Sequence, residues 1–152
     1  MKRVVIAAVL IAGGLFGSRA SAQCLPAPGT GCMGFPNVKD CVTNPSIGQP
    51  FCLASVPCPA GCGPVQLNLF FLGPPMPVPF AAPTCCSAPP CRLYSPPGNI
   101  FMTDQRPPGM QCIPIPPNPA LVGLNFGIQP VCVDPASGCF DLAPALVVRI
   151  RP

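Results

Sequence analysis

Twelve cysteines and four aspartates carry most of the reactive chemistry in this chain, since it has no histidine and no glutamate. Cys58 and Cys62, separated by Pro-Ala-Gly, and the group Cys85, Cys86 and Cys91 could offer thiolates to zinc. A zinc site, however, uses paired close spacings, often with histidine, in a reducing compartment. An even dozen in an exported chain reads instead as a disulfide framework, and no Cys-x-x-Cys spacing suggests a redox-active pair.

Catalysis finds little to work with. Without histidine there is no Ser-His or Cys-His relay. Of the four carboxylates Asp40, Asp104, Asp134 and Asp141, the last two sit where turn chemistry accounts for them. A Ser-Lys arrangement would need Lys39, which lies in a stretch without apolar periodicity, and a calcium site through Asp134 is explained more simply as an Asp-Pro turn. The reading assigns no catalytic residue, no cofactor and no metal ligand.

The export argument rests on residues 1–22. Lys2 and Arg3 precede an apolar run from Val4 to Phe16, and Ala20-Ser21-Ala22 has the small residues of a cleavage site; together these read as a secretory signal peptide. The run is short of the roughly 20 residues that span a bilayer. A lipid anchor on Cys24 is disfavoured because Gln23 stands between it and the small residues. The expectation is therefore a secreted or periplasmic protein without a membrane anchor. Removal of the leader leaves Lys39, Arg92, Arg106, Arg149 and Arg151 against the four aspartates, a net charge of +1. Nucleic acid is thus not an expected partner, since such binding needs clustered basic residues.

The elements that must position the cysteines read as strands. The 27 prolines, none in the leader, exclude long helices. Residues 23–43 form a cysteine-rich extension, expected to be loop-like and tied down by crosslinks. Residues 44–152 read as a single all-β domain, a disulfide-rich antiparallel β-sandwich with proline-rich loops. Val65, Leu67, Leu69 and Phe71 alternate with Gln66, Asn68 and Phe70, the clearest central strand. Phe51 and Leu53 behind Pro50 suggest an edge strand. Short strands are expected at Cys91 to Ser95, Asn99 to Thr103 and Gln111 to Ile115. Asn118 before Pro119 marks one helical turn. Leu124, Phe126 and Ile128 read as a half-buried strand, Pro130 as a bulge or bend, and Leu146, Val148 and Ile150 as the closing strand. Between them Asp134 to Gly138 spells a turn, bracketed by Cys132 and Cys139. Of the disulfide candidates Cys58, Cys62, Cys132 and Cys139, the last two are expected to staple this hairpin.

With those segments in view, the chain from Asn44 onward resembles a secreted all-β domain that recurs in planctomycete-like bacteria. The likeness lies in Asn44 to Gly48, the strand Leu67 to Gly73, Cys91 to Tyr94, Ile115 to Phe126, Ile128-Gln129, Val133 to Pro135 and the closing strand. It implies a β-sandwich and export, not a mechanism. This chain departs from it in its many cysteines and in Gly127, where an aromatic often stands beside Ile128-Gln129. The functional expectation is a structural or surface-interaction protein without catalytic activity, its partner a cell-envelope or extracellular protein. The alternative is a small inhibitor or toxin-like effector presenting a crosslinked loop such as Val56 to Pro64. A thiol titration under denaturing, non-reducing conditions should find no free sulfhydryl; several would overturn the disulfide reading.

Overall fold

A computed structural model describes residues 24–105 and 107–152; the leader expected at 1–22 lies outside the described residues. Twelve strands follow one another: β1 (Cys24–Pro26), β2 (Gly31–Met33), β3 (Lys39–Cys41), β4 (Pro50–Ser55), β5 (Val65–Leu72), β6 (Val78–Phe80), β7 (Ala88–Leu93), β8 (Ile100–Gln105), β9 (Gly109–Pro114), β10 (Asn125–Asp134), β11 (Cys139–Leu142) and β12 (Leu146–Arg149). The only helical pieces among the described residues are single 3-10 turns at Pro97–Asn99 and Pro119–Leu121. In the second, the Asn118 side chain caps the turn by accepting from the Ala120 N–H, as its sequence suggests.

All three sheets are antiparallel. The largest runs β1-β12-β10-β5-β8, with β11 also paired to β10; two smaller ones run β2-β7-β6 and β3-β4-β9. Alternation along the shared strands puts the small sheets on opposite faces of the large one. Phe71 of β5, Val131 and Val133 of β10 and Val147 of β12 pack with Cys91 and Leu93 of β7. Their neighbours Phe70, Ile128, Leu146 and Val148 pack with Phe51 and Leu53 of β4. The sandwich therefore has two filled interfaces.

This corrects the half-buried reading of the strand at Leu124 to Ile128. From Gly127 to Val133 every residue of β10 is buried, because what reads as a polar face, Gly127 and Gln129, is covered by the β2-β7-β6 sheet and by Tyr94 just after β7. Nor does Pro130 bend the strand. β10 keeps an unbroken register with β5 from Phe126 to Val133. On its other side it pairs first with β12, as far as Ile128, and then with β11, from Val131. Pro130 sits at that change of partner, where its missing N–H costs no ladder bond and its carbonyl accepts from the Ala143 N–H at 3.0 Å.

Two further expectations change. β4 is the middle strand of its sheet rather than an edge; Pro50 is tolerated because it is the first residue of the strand, opposite Pro114 at the end of β9. The extension is not loop-like: β1, β2 and β3 contribute one strand to each of the three sheets, and Ala27, Cys32, Phe35 and Val38 are buried. Strands this short show no periodicity for a sequence reading to detect, and glycine, cysteine and proline supply much of their surroundings.

Gly127 owes its place to Tyr94. A Cβ on Gly127 would lie 2.4 Å from Tyr94 Cε1, so the ring occupies the space a larger residue beside Ile128-Gln129 would fill. Tyr94 is fully buried, stacks at a tilt on Phe71 with ring centroids 5.5 Å apart, and donates its hydroxyl to the Gly73 carbonyl at 2.8 Å. Burial pushes its pKa up to about 12. An unfolded tyrosine ionises near pH 10, so between these values the unfolded chain binds fewer protons and stability falls as pH rises. Tyr94 is the only tyrosine and tryptophan is absent, which makes the tyrosinate absorbance a one-residue probe. The native protein should titrate about two units above the urea-unfolded chain; a shared midpoint would show the ring to be exposed.

Candidate functional site

Three of the six disulfides converge on one corner of the molecule. Cys58 is joined to Cys132, Cys62 to Cys86, and Cys85 to Cys139. The others are Cys24 to Cys41, linking the large sheet to a small one, and the cross-strand pairs Cys32 to Cys91 and Cys52 to Cys112 within the small sheets. Every cysteine is bonded.

The hairpin staple is thereby corrected. The hairpin and its turn form as expected, with Gly138 N–H bonded to the Asp134 carbonyl at 2.8 Å. Its register, however, sets Cys132 opposite Asp141 and Cys139 opposite Asp134. The two cysteines are diagonal neighbours, about 7–8 Å apart, beyond the reach of a disulfide. Each takes a partner from a loop instead: Cys132 from the loop before β5, Cys139 from the loop before β7. The four candidates Cys58, Cys62, Cys132 and Cys139 are all crosslinked, but only Cys58 and Cys132 to each other.

The loop between β4 and β5 owes its course to these bonds and to glycine. A Cβ on Gly63 would come within 2.0 Å of the Val133 backbone, so only glycine lets the loop lie against β10. Gly61 has φ +84°, a backbone region other residues rarely adopt. The neighbouring loop is held by buried Asp141, whose carboxylate accepts from Cys86 N–H at 3.1 Å and Ser87 N–H at 3.0 Å. Cys62, Cys86 and Asp141 bring possible metal-ligating atoms within 4.8 Å of one another, yet both sulfurs are spent in their mutual disulfide. Asp134 accepts from the Ser137 hydroxyl and the Ala136 N–H, in that order the causes that hold its pKa below the usual range. This is the Asx turn the sequence suggests.

A cleft of about 530 Å³ opens beside the clamped loop, between residues 57–66 and the turn after β8. Gln66 lines it and is 5 % exposed, and neither atom of its amide has a hydrogen-bond partner. Farther along the same face of β5, Lys39 is buried and donates to Asn68 Oδ1 at 2.6 Å and Gln111 Oε1 at 2.9 Å. Gln111 in turn donates to the carbonyl of Pro107 at the cleft rim. In the sequence Gln66 and Asn68 are the polar positions of an alternating strand, and Lys39 lies in the extension expected to be loop-like. Only the covering sheet turns them into a buried polar row. A second concavity, of about 240 Å³, lies at the opposite end of β5 among Leu72, Phe101, Leu124 and other apolar side chains.

No protein-family model, curated protein or solved structure matches the chain.

Lys39→Met leaves the Asn68 and Gln111 oxygens short of a donor, which costs about 1–3 kcal/mol. The midpoint of a thermal melt of the oxidised protein should fall accordingly. Replacing all three partners by apolar residues should cost less than that single change. An unaltered melt for Lys39→Met would show the network to be dispensable.

Proposed function

We propose that this chain is a secreted, disulfide-stabilised surface-interaction protein without catalytic activity, and that it belongs to the secreted all-β domain family it resembles. The observation that carries the reading is the concentration of three disulfides on the corner that walls the cleft. A loop fixed before it meets a partner avoids the ordering cost of binding, which raises affinity without added contacts. Six disulfides fit an oxidising, extracytoplasmic compartment, and no helix among the described residues is long and apolar enough to cross a membrane. Catalysis is left out of the proposal because Asp134 is engaged in holding its turn and Asp141, which lies within strand β11 rather than in the turn its sequence suggests, in holding the loop before β7.

A second reading, an inhibitor presenting Val56 to Pro64, draws on the two disulfides that anchor this loop and on the exposed Ala60 and Gly61 at its tip. It differs in requiring a protease or other enzyme that the loop blocks, and a panel of extracellular proteases assayed with the oxidised protein separates the two.

The principal experiment measures retention of the oxidised protein on envelope and culture-medium fractions of the producing cells. Saturable retention that is lost after reduction and alkylation is the expected outcome. Absence of saturable retention would contradict the proposal.

A further inference from the structure

Lys39, the single lysine beyond the leader, is held against a side-chain amide in the interior between two sheets. It is 2 % exposed on β3, while Asn68 on β5 is fully buried, and Lys39 Nζ lies 2.6 Å from Asn68 Oδ1. A nitrogen at that distance from a carbonyl oxygen stands about 3–4 Å from the carbon that bears it. Reacting atoms poised for attack are roughly 3–3.5 Å apart. The geometry is therefore that of an amine aimed at an amide carbon. Such an attack needs an uncharged amine and a group that carries a proton from it to the departing nitrogen. Burial disfavours the charged form of a lysine.

Asp104 is placed to carry that proton. It stands directly opposite Asn68 in the β5–β8 register and is half-buried. Opposed residues of an antiparallel pair share a face of the sheet, with Cβ atoms roughly 4.5–5.5 Å apart, so its carboxylate lies on the face that meets Lys39. Gln111 completes the arrangement as a positioning residue. Its Oε1 accepts from Lys39 Nζ at 2.9 Å and from Asn68 Nδ2 at 3.4 Å, bridging the nucleophile and the nitrogen that would leave. Gln111 is itself an amide within reach of Lys39, but the residue opposite it on β4 is Leu53, which transfers no proton.

We propose that the folded chain closes an isopeptide bond between Lys39 and Asn68, with Asp104 as the proton carrier. The Nζ lone pair attacks Asn68 Cγ, an N–C bond forms, and the Cγ–Nδ2 bond breaks. Asp104 takes a proton from Nζ and delivers it to Nδ2, which leaves as ammonia. An amine and a primary amide become a secondary amide, and no oxidant, metal or other co-reactant enters. Exclusion of water from the site keeps hydrolysis from competing. The bond would tie β3 to the middle of β5. The β3-β4-β9 sheet otherwise has one strand-to-strand disulfide to the large sheet, Cys24 to Cys41, at the edge strand β1. The reaction occurs once per chain and turns over no substrate, so it goes beyond the surface-interaction reading without altering it. Loss of the bond adds to the network cost given above for Lys39→Met.

The test maps the oxidised full chain by mass spectrometry after reduction, alkylation and chymotryptic digestion, which cuts between Lys39 and Asn68 at Phe51 and Leu53. The expected product is a peptide bearing Lys39 joined to one bearing Asn68, lighter than their sum by one ammonia. The mapped peptide is the readout rather than the intact mass, because an N-terminal Gln23 also loses ammonia when it cyclises. Recovery of Lys39 and Asn68 only in separate peptides overturns the inference, and so does Lys39 joined to Gln111 or to Asp104 instead. Asp104→Asn tests the proton carrier. When parent and variant are produced unfolded and reduced and then refolded oxidatively, the joined peptide should accumulate at least about a hundredfold more slowly in the variant. A tyrosinate midpoint like the parent's shows that the variant has folded around Tyr94. Accumulation at the parent's rate would overturn the role of Asp104. Should Asp104→Asn fail to fold, the map of the parent decides the bond alone.

Discussion

Burial of β10 on both faces is the constraint from which the rest of the architecture follows. A strand covered above and below needs a partner on each edge for its backbone and a packed layer on each face for its side chains. In many folds helices supply those layers. Here proline is too frequent for helices, so the layers are three-stranded sheets, which are too small to be stable unless packed against something else. Phe71, Ile128 and Val148 lose essentially all their exposure in this arrangement, each stabilising the fold by about 1.5–3 kcal/mol. The disulfides add what small sheets lack. Two pin cross-strand partners inside the covering sheets, and one ties β1 in the large sheet to β3 in a small one.

Polar groups then hold the layers in register. Gln129 reaches from β10 to the backbone of Arg92 and Tyr94, Lys39 reaches from its covering sheet to Asn68 on β5, and Asp141 fixes the backbone of Cys86 and Ser87. Each contact is directional, and a layer shifted by one residue would leave a buried group without a partner. Apolar packing alone tolerates such shifts more readily. Gln66, on the same face of β5 as Asn68, is the exception: its surroundings bury it without satisfying it.

Much of this was legible from the sequence. The alternation from Val65 to Phe71 located β5, the turn residues placed β7, β8 and β9 to within about three residues, and Asn118-Pro119 located a capped turn. What alternation cannot reveal is whether the polar side of a strand meets water or a second layer. Gln66, Asn68 and Gln129 look like solvent-facing residues for this reason. The three short strands of the extension lie below the length at which any period shows. The cysteine partners were hidden for a related reason. A turn between Cys132 and Cys139 makes them close in sequence and diagonal in space, and only the register of β10 with β11 shows that each must look to a different loop. Gly127 was visible as a departure from the resemblance, but not the ring of Tyr94 that fills its place.

The partner of Cys132 tests the doubly covered strand and its clamped corner together, because that bond exists only if the loop before β5 is folded against β10. Proteolytic mapping of the oxidised protein without reduction should recover the peptide bearing Cys132 linked to the peptide bearing Cys58. Recovery of Cys132 linked to Cys139 would contradict the account, since it would require a different hairpin register and would release the loop that walls the cleft.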